Sequence, residues 1–284
     1  MLLLPIVGCG QLTAEFTISV VTVPQNPIPT RPVPPRKLFR TSLRGAALIW
    51  VVIGSLAESA LLTAAGQMTV TRKAKVLQKW CRRIILWSGI KVTVEGVPPA
   101  TGLIVSNHLS YMDIMVFSTV TPCAFVSKRE VFSWPGVGWV AALTGNIFID
   151  RARTSETHAI QPRIQQALDA GGRLVLFPEG TSSNGDDVLR FHSSLFQPAI
   201  MSGAAVTPAH ISYTVADGDA RTDVCYWGNM VLAPHLWNLL SKDAVEARVR
   251  FSDQAFKFTD RKQAALQMRE CVQKLGRDAA VAAV

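Results

Sequence analysis

The sequence predicts an α/β domain with a largely parallel central sheet flanked by helices, preceded by an N-terminal membrane-binding helical segment. Three observations predict it. From about residue 90, short β-rich runs alternate with helical ones, as in strands joined by helical crossovers. Ahead of them, "AALIWVVIGSLAESALLTAA" at 46–65 is 20 residues long and nearly uncharged. Between the two lies a basic, amphipathic stretch, "RKAKVLQKWCRRIILWSG", at 72–89. The chain therefore divides into a flexible, Pro-rich leader at 1–40, membrane-anchoring helices at 41–90, and the α/β domain at 91–284. Its 284 residues suffice for a sizeable core.

Composition supports contact with lipid. Hydrophobic residues make up 49% and charged residues only 17%, against the usual quarter, and the mean hydropathy is +0.24. No second run of some 20 apolar residues follows the first, so a multi-span protein is not expected. The net charge of +9 is uneven: residues 31–91 hold 12 Lys/Arg and one acid, Glu58. That clustering beside apolar segments suits an anionic membrane surface. Nucleic acid is not expected, since no helix-turn-helix, zinc-finger or RNA-recognition signature is present. The five cysteines, Cys9, Cys81, Cys123, Cys225 and Cys271, are odd in number and widely spaced. They read as reduced thiols facing the cytosol, without a disulfide frame or zinc site.

Taken in order, the leader contains "VPQNPIPTRPVPPRK", which favours extended chain over packed structure. The opening "MLLLPIVGCG" lacks the positive n-region of an export signal. In 46–65, Glu58 would cost roughly 2.5–3.5 kcal/mol at mid-bilayer. A single span, a half-buried anchor and a core helix all stay open for that segment. In 72–89, Val76, Leu77, Trp80, Cys81, Ile84 and Ile85 share one half of the helical wheel. Arg72, Lys75, Lys79, Arg82 and Arg83 share the other, the pattern of a helix in the headgroup plane. A solvated basic face over a core-packed apolar face is the alternative. Beyond 90, "KVTVEGV", "GLIVSN", "CAFVSK", "GNIFIDR", "RLVLF" and "AVTPAHISYTV" read as strands. Helices are expected from about Ser110, at 155–170 ending on Gly171-Gly172, over "HSSLFQPAIMSG", and at 259–275.

The chemistry-bearing stretch is "SNHLSYMD" at 106–113. On one helix, His108 and Asp113 would lie about 140° apart. They meet if the histidine occupies the loop after a strand and the aspartate the first turn of the following helix. Asp113 would then fix the imidazole tautomer and leave the other ring nitrogen basic. Such a base assists attack by a hydroxyl on a carbonyl, worth ~10²–10⁴ in rate. The competing reading makes Ser110-x-x-Asp113 a capping box, with Asp113 needed at the helix end.

Three more blocks follow in order: "GNIFIDR" at 145–151, "FPEGTSS" at 177–183 and "AVTPAHI" at 205–211. Together with the first they resemble the glycerolipid acyltransferase family, within the lysophospholipid acyltransferase superfamily, over about residues 85–215. The resemblance implies that His108 is the general base and Asp113 orients it. The base would deprotonate a lysolipid hydroxyl that attacks an acyl thioester, with no acyl-enzyme; no G-x-S-x-G elbow occurs here. Asn107 would shape the turn. Arg151 would hold an acidic headgroup, with Lys128 and Arg129 adding charge. Glu179, Gly180 and Thr181 would line the acceptor site, and Pro208 would help form the acyl-donor region. Without the motif, Arg151 and Lys128 read as solvated charges, and Pro208 as an edge-strand or bulge proline. Trp134 and Trp139 pack either the acyl chain or the core.

One departure bears on the acceptor. Phosphatidate-forming members commonly read E-G-T-R-S in the third block, where this chain has Ser182. The following "NGDDVLRFHSSLF" resembles the branch that acylates lyso-ornithine lipid. Arg151 and Arg190 remain available for a phosphate. The expected acceptor is therefore 1-acylglycerol 3-phosphate, giving phosphatidate, with lyso-ornithine lipid second. Acyl-carrier protein or coenzyme A carries the donor thioester; no metal and no further cofactor are expected. His158, His192, His210 and His235 lack metal spacing, and Asp186-Asp187 reads as a loop pair. The cytoplasmic side of the cell inner membrane is the expected location. A non-catalytic lipid-binding membrane protein is the rival of another class, though a binder needs neither His108 nor Asp113. A hydrolase is the third.

Overall fold

The computed structural model describes residues 33–128, 147–149 and 154–281. Arg129, Trp134, Trp139 and Arg151 lie outside them. Among the described residues, seven strands form one sheet: β1 (Ile90–Glu95), β2 (Gly102–Ser106), β3 (Ala124–Lys128), β4 (Ile147–Ile149), β5 (Arg173–Leu176), β6 (Val206–Val215) and β7 (Val245–Phe251). The helices are α1 (Leu38–Ala64), α2 (Val70–Ser88), α3 (Met112–Val120), α4 (Thr154–Asp169), α5 (Gln197–Ser202), α6 (Ala220–Asp223), α7 (Leu232–Leu240) and α8 (Arg261–Val281). The strand order is β1-β7-β6-β2-β5-β3-β4. Every neighbouring pair is parallel except β6–β7, as the expected, largely parallel sheet requires.

The two-residue period of a strand sends alternate side chains to opposite faces. Ile104 and Val175 join one core with Phe117, Phe125 and Phe177, under α2 and α3. Leu103, Val105, Leu174 and Leu176 join the other, with Phe196, Met268 and Val272, under α5 and α8. Both faces are covered, which is why the central strands read as continuous apolar runs. β2 and β5 are parallel neighbours, so the loops after them, at 107–111 and 177–183, emerge side by side.

Two local readings change. Pro208 is not on an edge strand: it lies in β6, opposite Val105 of the central β2. Its carbonyl accepts from Ser252 N–H just past the end of β7, so the missing proline N–H faces the side where that ladder has stopped. In "HSSLFQPAIMSG", a 3₁₀ turn at Ser193–Phe196 precedes α5, and Pro198 occupies its tolerated place in the first helical turn.

The larger correction concerns α2. Val76, Leu77, Cys81 and Ile85 are buried against the domain core, so this apolar stripe does not face lipid. Trp80 lies across Gly54 of α1, where any side chain would collide with the indole. Its Nε1–H donates to Glu58 at 2.7 Å, and Lys79 pairs with the same carboxylate at 2.6 Å. Glu58 is thus balanced within the protein. Lys37 pairs with Asp217 and Asp243, while Arg40 and Arg44 donate to the carbonyls of Ser241, Leu240 and Lys242. These cations fasten α1 to the α/β domain. The helical run Pro35–Ala64 is long and apolar enough to cross a membrane. Its Phe39, Ile49, Trp50 and Leu61 stand exposed, as do Leu86 and Trp87 at the end of α2.

Candidate active site

The site begins where β2 turns into α3. Asn107 fixes the turn to the neighbouring strand: its amide donates to Ile211 O, and its Oδ1 accepts from Ile211 N–H, both at 2.9 Å. His108 follows in the loop and Asp113 in the first turn of α3. Nδ1 of His108 lies 2.7 Å from Oδ2 of Asp113. The same Oδ2 accepts the N–H groups of Leu109 at 2.7 Å and Ser110 at 3.0 Å. Oδ1 accepts the Tyr213 hydroxyl at 2.6 Å. The aspartate therefore receives two backbone donors, a phenol and the imidazole, and is fully buried.

Capping and orientation do not compete. Half of the expected capping box forms: Asp113 reaches back to Ser110 N–H, but Asp113 N–H bonds to Ser110 O at 3.1 Å, and Ser110 Oγ accepts from Met112 N–H at 3.3 Å instead. The carboxylate that closes the helix end also holds the imidazole. Since Asp113 already receives its other hydrogen bonds from donors, the imidazole proton belongs on Nδ1 and the lone pair on Nε2. The ring stacks on Phe177 with centroids 4.3 Å apart, and the side chain keeps 20% of its surface exposed. Among the described residues nothing takes Nε2. The arrangement can accept a proton at that atom without moving the ring.

The 177–183 loop closes the other side. His108 N–H donates to Glu179 Oε1 at 3.1 Å, and Ser183 N–H donates to His108 O at 2.9 Å. Gly180 allows the bend with φ +78°, a left-handed value that favours glycine. Glu179 is buried, and burial pushes its carboxyl up to about 8. The backbone N–H groups of His108 and Leu189 both approach the carboxyl and favour its charged form, and burial outweighs them. Ser182, at the departure position, donates to Tyr226 O, and Tyr226 N–H returns to Leu109 O at 2.8 Å.

The structure thus gathers Asn107, His108, Asp113, Glu179 and Gly180. Thr181 is exposed beside them, and Pro208 lies one strand away in β6. Lys128 ends β3, its backbone in register with Ile149 of β4. Arg151 is outside the described residues. Sequence reasoning missed Tyr213, Phe177 and Tyr226. Only strand periodicity bears on Tyr213: it shares a face of β6 with Ile211, the partner of Asn107.

A family model described as "Acyltransferase" matches residues 89–212. A lyso-ornithine lipid O-acyltransferase of Brucella abortus is 38% identical, over 64% of this chain and 72% of that protein. One from Pseudomonas aeruginosa is 32% identical, over 71% and 80%. A 1-acyl-sn-glycerol-3-phosphate acyltransferase of Neisseria meningitidis is 33% identical, over 52% and 58%. In fold, the chain is similar to the 1-acyl-sn-glycerophosphate acyltransferase PlsC of Thermotoga maritima. The TM-score is 0.61 at 19% identity, covering 86% of this chain and 98% of that one. Four motif blocks in order, a mostly parallel α/β fold and these similarities lead to one conclusion: the chain belongs to the glycerolipid acyltransferase family.

Proposed function

We propose that this enzyme transfers a fatty acyl group from an acyl thioester to the free hydroxyl of a lysolipid, with His108 as the base and Asp113 holding it. The observation that carries the reading is the 2.7 Å Nδ1–Oδ2 contact in a ring whose Nε2 has no partner among the described residues. Nε2 takes the acceptor's hydroxyl proton as its oxygen bonds to the thioester carbonyl carbon. The tetrahedral adduct collapses, the C–S bond breaks, and the imidazolium returns the proton to the leaving sulfur. Acyl-carrier protein or coenzyme A supplies the thioester, with no metal and no further cofactor. Glu179, Gly180 and Thr181 line the acceptor side, Lys128 and Arg151 add charge for the headgroup, and Pro208 borders the donor side.

Lyso-ornithine lipid is the favoured acceptor, ahead of 1-acylglycerol 3-phosphate. Position 182 carries no cation, and its hydroxyl is engaged by Tyr226 O. The enzyme rests on the anionic cytoplasmic face of the inner membrane. The exposed apolar residues of α1 and the end of α2 enter one leaflet, while α1 stays fastened to the domain. The test is an assay of the purified full chain with both lysolipids and both thioesters. Ester formation, highest in kcat/KM for lyso-ornithine lipid, is expected. No transfer to either acceptor overturns the enzymatic reading; preference for the phosphate overturns the acceptor.

A further inference from the structure

Resting on the lyso-ornithine reading, we propose that Asp186 and Arg221 form the headgroup subsite, and that it selects a zwitterion. An ornithine headgroup joined through its α-amine carries a carboxylate and a terminal ammonium. Recognition of that pair needs one fixed cation and one fixed anion, close together, at the mouth of the site.

The loop that follows the third block supplies them. Arg221 Nη2 lies 2.9 Å from Asp186 Oδ1, with side chains 63% and 51% exposed. Two hydrogen bonds tie their segments to the loop of the base, Ser183 N–H to His108 O and Tyr226 N–H to Leu109 O, and a third, Ser182 Oγ to Tyr226 O, joins the segments to each other. A side chain at Gly185, next to Asp186, would already touch Leu109 at 3.4 Å. Both partners are held at their backbones: Asp186 N–H donates to Asn184 Oδ1 at 3.2 Å, and Arg221 O accepts from Trp227 Nε1–H at 2.9 Å; Asn184 also donates to Asp186 Oδ2 at 2.6 Å, leaving Oδ1 to Arg221.

The neighbouring acid shows the contrast. Asp187 is engaged by Gln273 at 2.8 Å and Arg269 at 3.3 Å, fixing the loop to α8. Asp186 is engaged only by its loop neighbour Asn184 and by Arg221 among the described residues, and a pair this exposed contributes little to folding. It can open and exchange partners with a ligand that brings both charges: guanidinium to carboxylate, carboxylate to ammonium. Such an exchange leaves no charge unpaired. A phosphate meets Arg221 but is repelled by Asp186, so the anion acts as the rejecting element.

The test compares kcat/KM of the full chain for lyso-ornithine lipid and 1-acylglycerol 3-phosphate in mixed micelles, with one thioester. Arg221→Gln and Asp186→Asn should each lower the ornithine-to-phosphate ratio at least tenfold, through the acceptor KM. The exchanged variant, Asp186→Arg with Arg221→Asp, should recover part of that ratio, since a reversed pair still offers both charges. Thermal melting checks that the variants fold. If wild-type enzyme acylates the phosphate acceptor alone, the lyso-ornithine reading and the subsite both fall. If it acylates lyso-ornithine lipid but the variants change both acceptors equally, or neither, the subsite alone is overturned.

Discussion

Between β2 and α3, Ser106, Asn107, Ser110 and Asp113 are polar and buried; along α1, Phe39, Ile49, Trp50 and Leu61 are apolar and exposed. The turn is complete within the protein. Asp113 receives four donors, and both ends of the Asn107 amide are bonded. Burying such groups is tolerable only because each is paired. The helices are complete only with something outside. Clustered apolar exposure is unfavourable in water and marks a surface meant for another phase. The contrast separates chemistry from attachment, and each should be breakable without the other.

The largest effect is expected at the base. His108→Ala should lower acyl transfer at least ~10²-fold, about 2.7 kcal/mol of barrier, while binding to anionic vesicles stays at the wild-type level. Initial rates with saturating thioester, paired with vesicle sedimentation, measure both. Near-normal turnover would remove His108 from its role, and a parallel loss of vesicle binding would undo the separation.

Next is Glu179, whose carboxyl burial pushes up to about 8. The folded state then binds a proton that the unfolded state has released between the ordinary carboxylate range and pH 8. Stability contributed by this group is present at low pH and is lost as pH rises through about 8, on the order of a few kcal/mol. Urea unfolding at pH 5 and pH 8.5 should show the fall, and Glu179→Gln should flatten it. An unchanged pH slope in that variant would mean that the proton resides elsewhere.

Tyr213→Phe comes third. It leaves Asp113 Oδ1 buried without its phenol donor, costing about 1–3 kcal/mol of stability. Turnover should fall roughly tenfold with little change in acceptor KM, because the residue acts through Asp113. A loss of stability with unchanged turnover would reduce Tyr213 to a packing role.

Much of this was legible in residue order. The α/β alternation, Gly171 as a helix stop and the N-H-x-x-x-x-D spacing each state a local rule that the fold obeys. What was not legible depends on partners distant in sequence. Tyr213 reaches Asp113 across 100 residues because β6 lies beside β2. Apart from the motif, Pro208 reads as an edge-strand or bulge proline, because the sequence does not say where β7 stops pairing. The stripe on α2 reads as lipid-facing or as core-packed from the sequence, because helical period fixes which residues share a face, and not what covers it. α3 covers it.

That last lesson sets the smallest prediction. If α1 and not α2 supplies the membrane face, Trp50→Ser should weaken binding to anionic vesicles about fivefold, or about 1 kcal/mol, the scale of one aromatic side chain partly withdrawn from water. Trp50 is 74% exposed, so the change leaves no cavity and the melting temperature should hold. Leu77→Ser, on the buried stripe of α2, should do the reverse: it destabilises the fold and leaves vesicle affinity of the surviving folded protein unchanged. A Leu77 variant that folds normally but loses vesicle binding would return the lipid contact to α2. α2 would then have to leave α3 for that stripe to reach the bilayer.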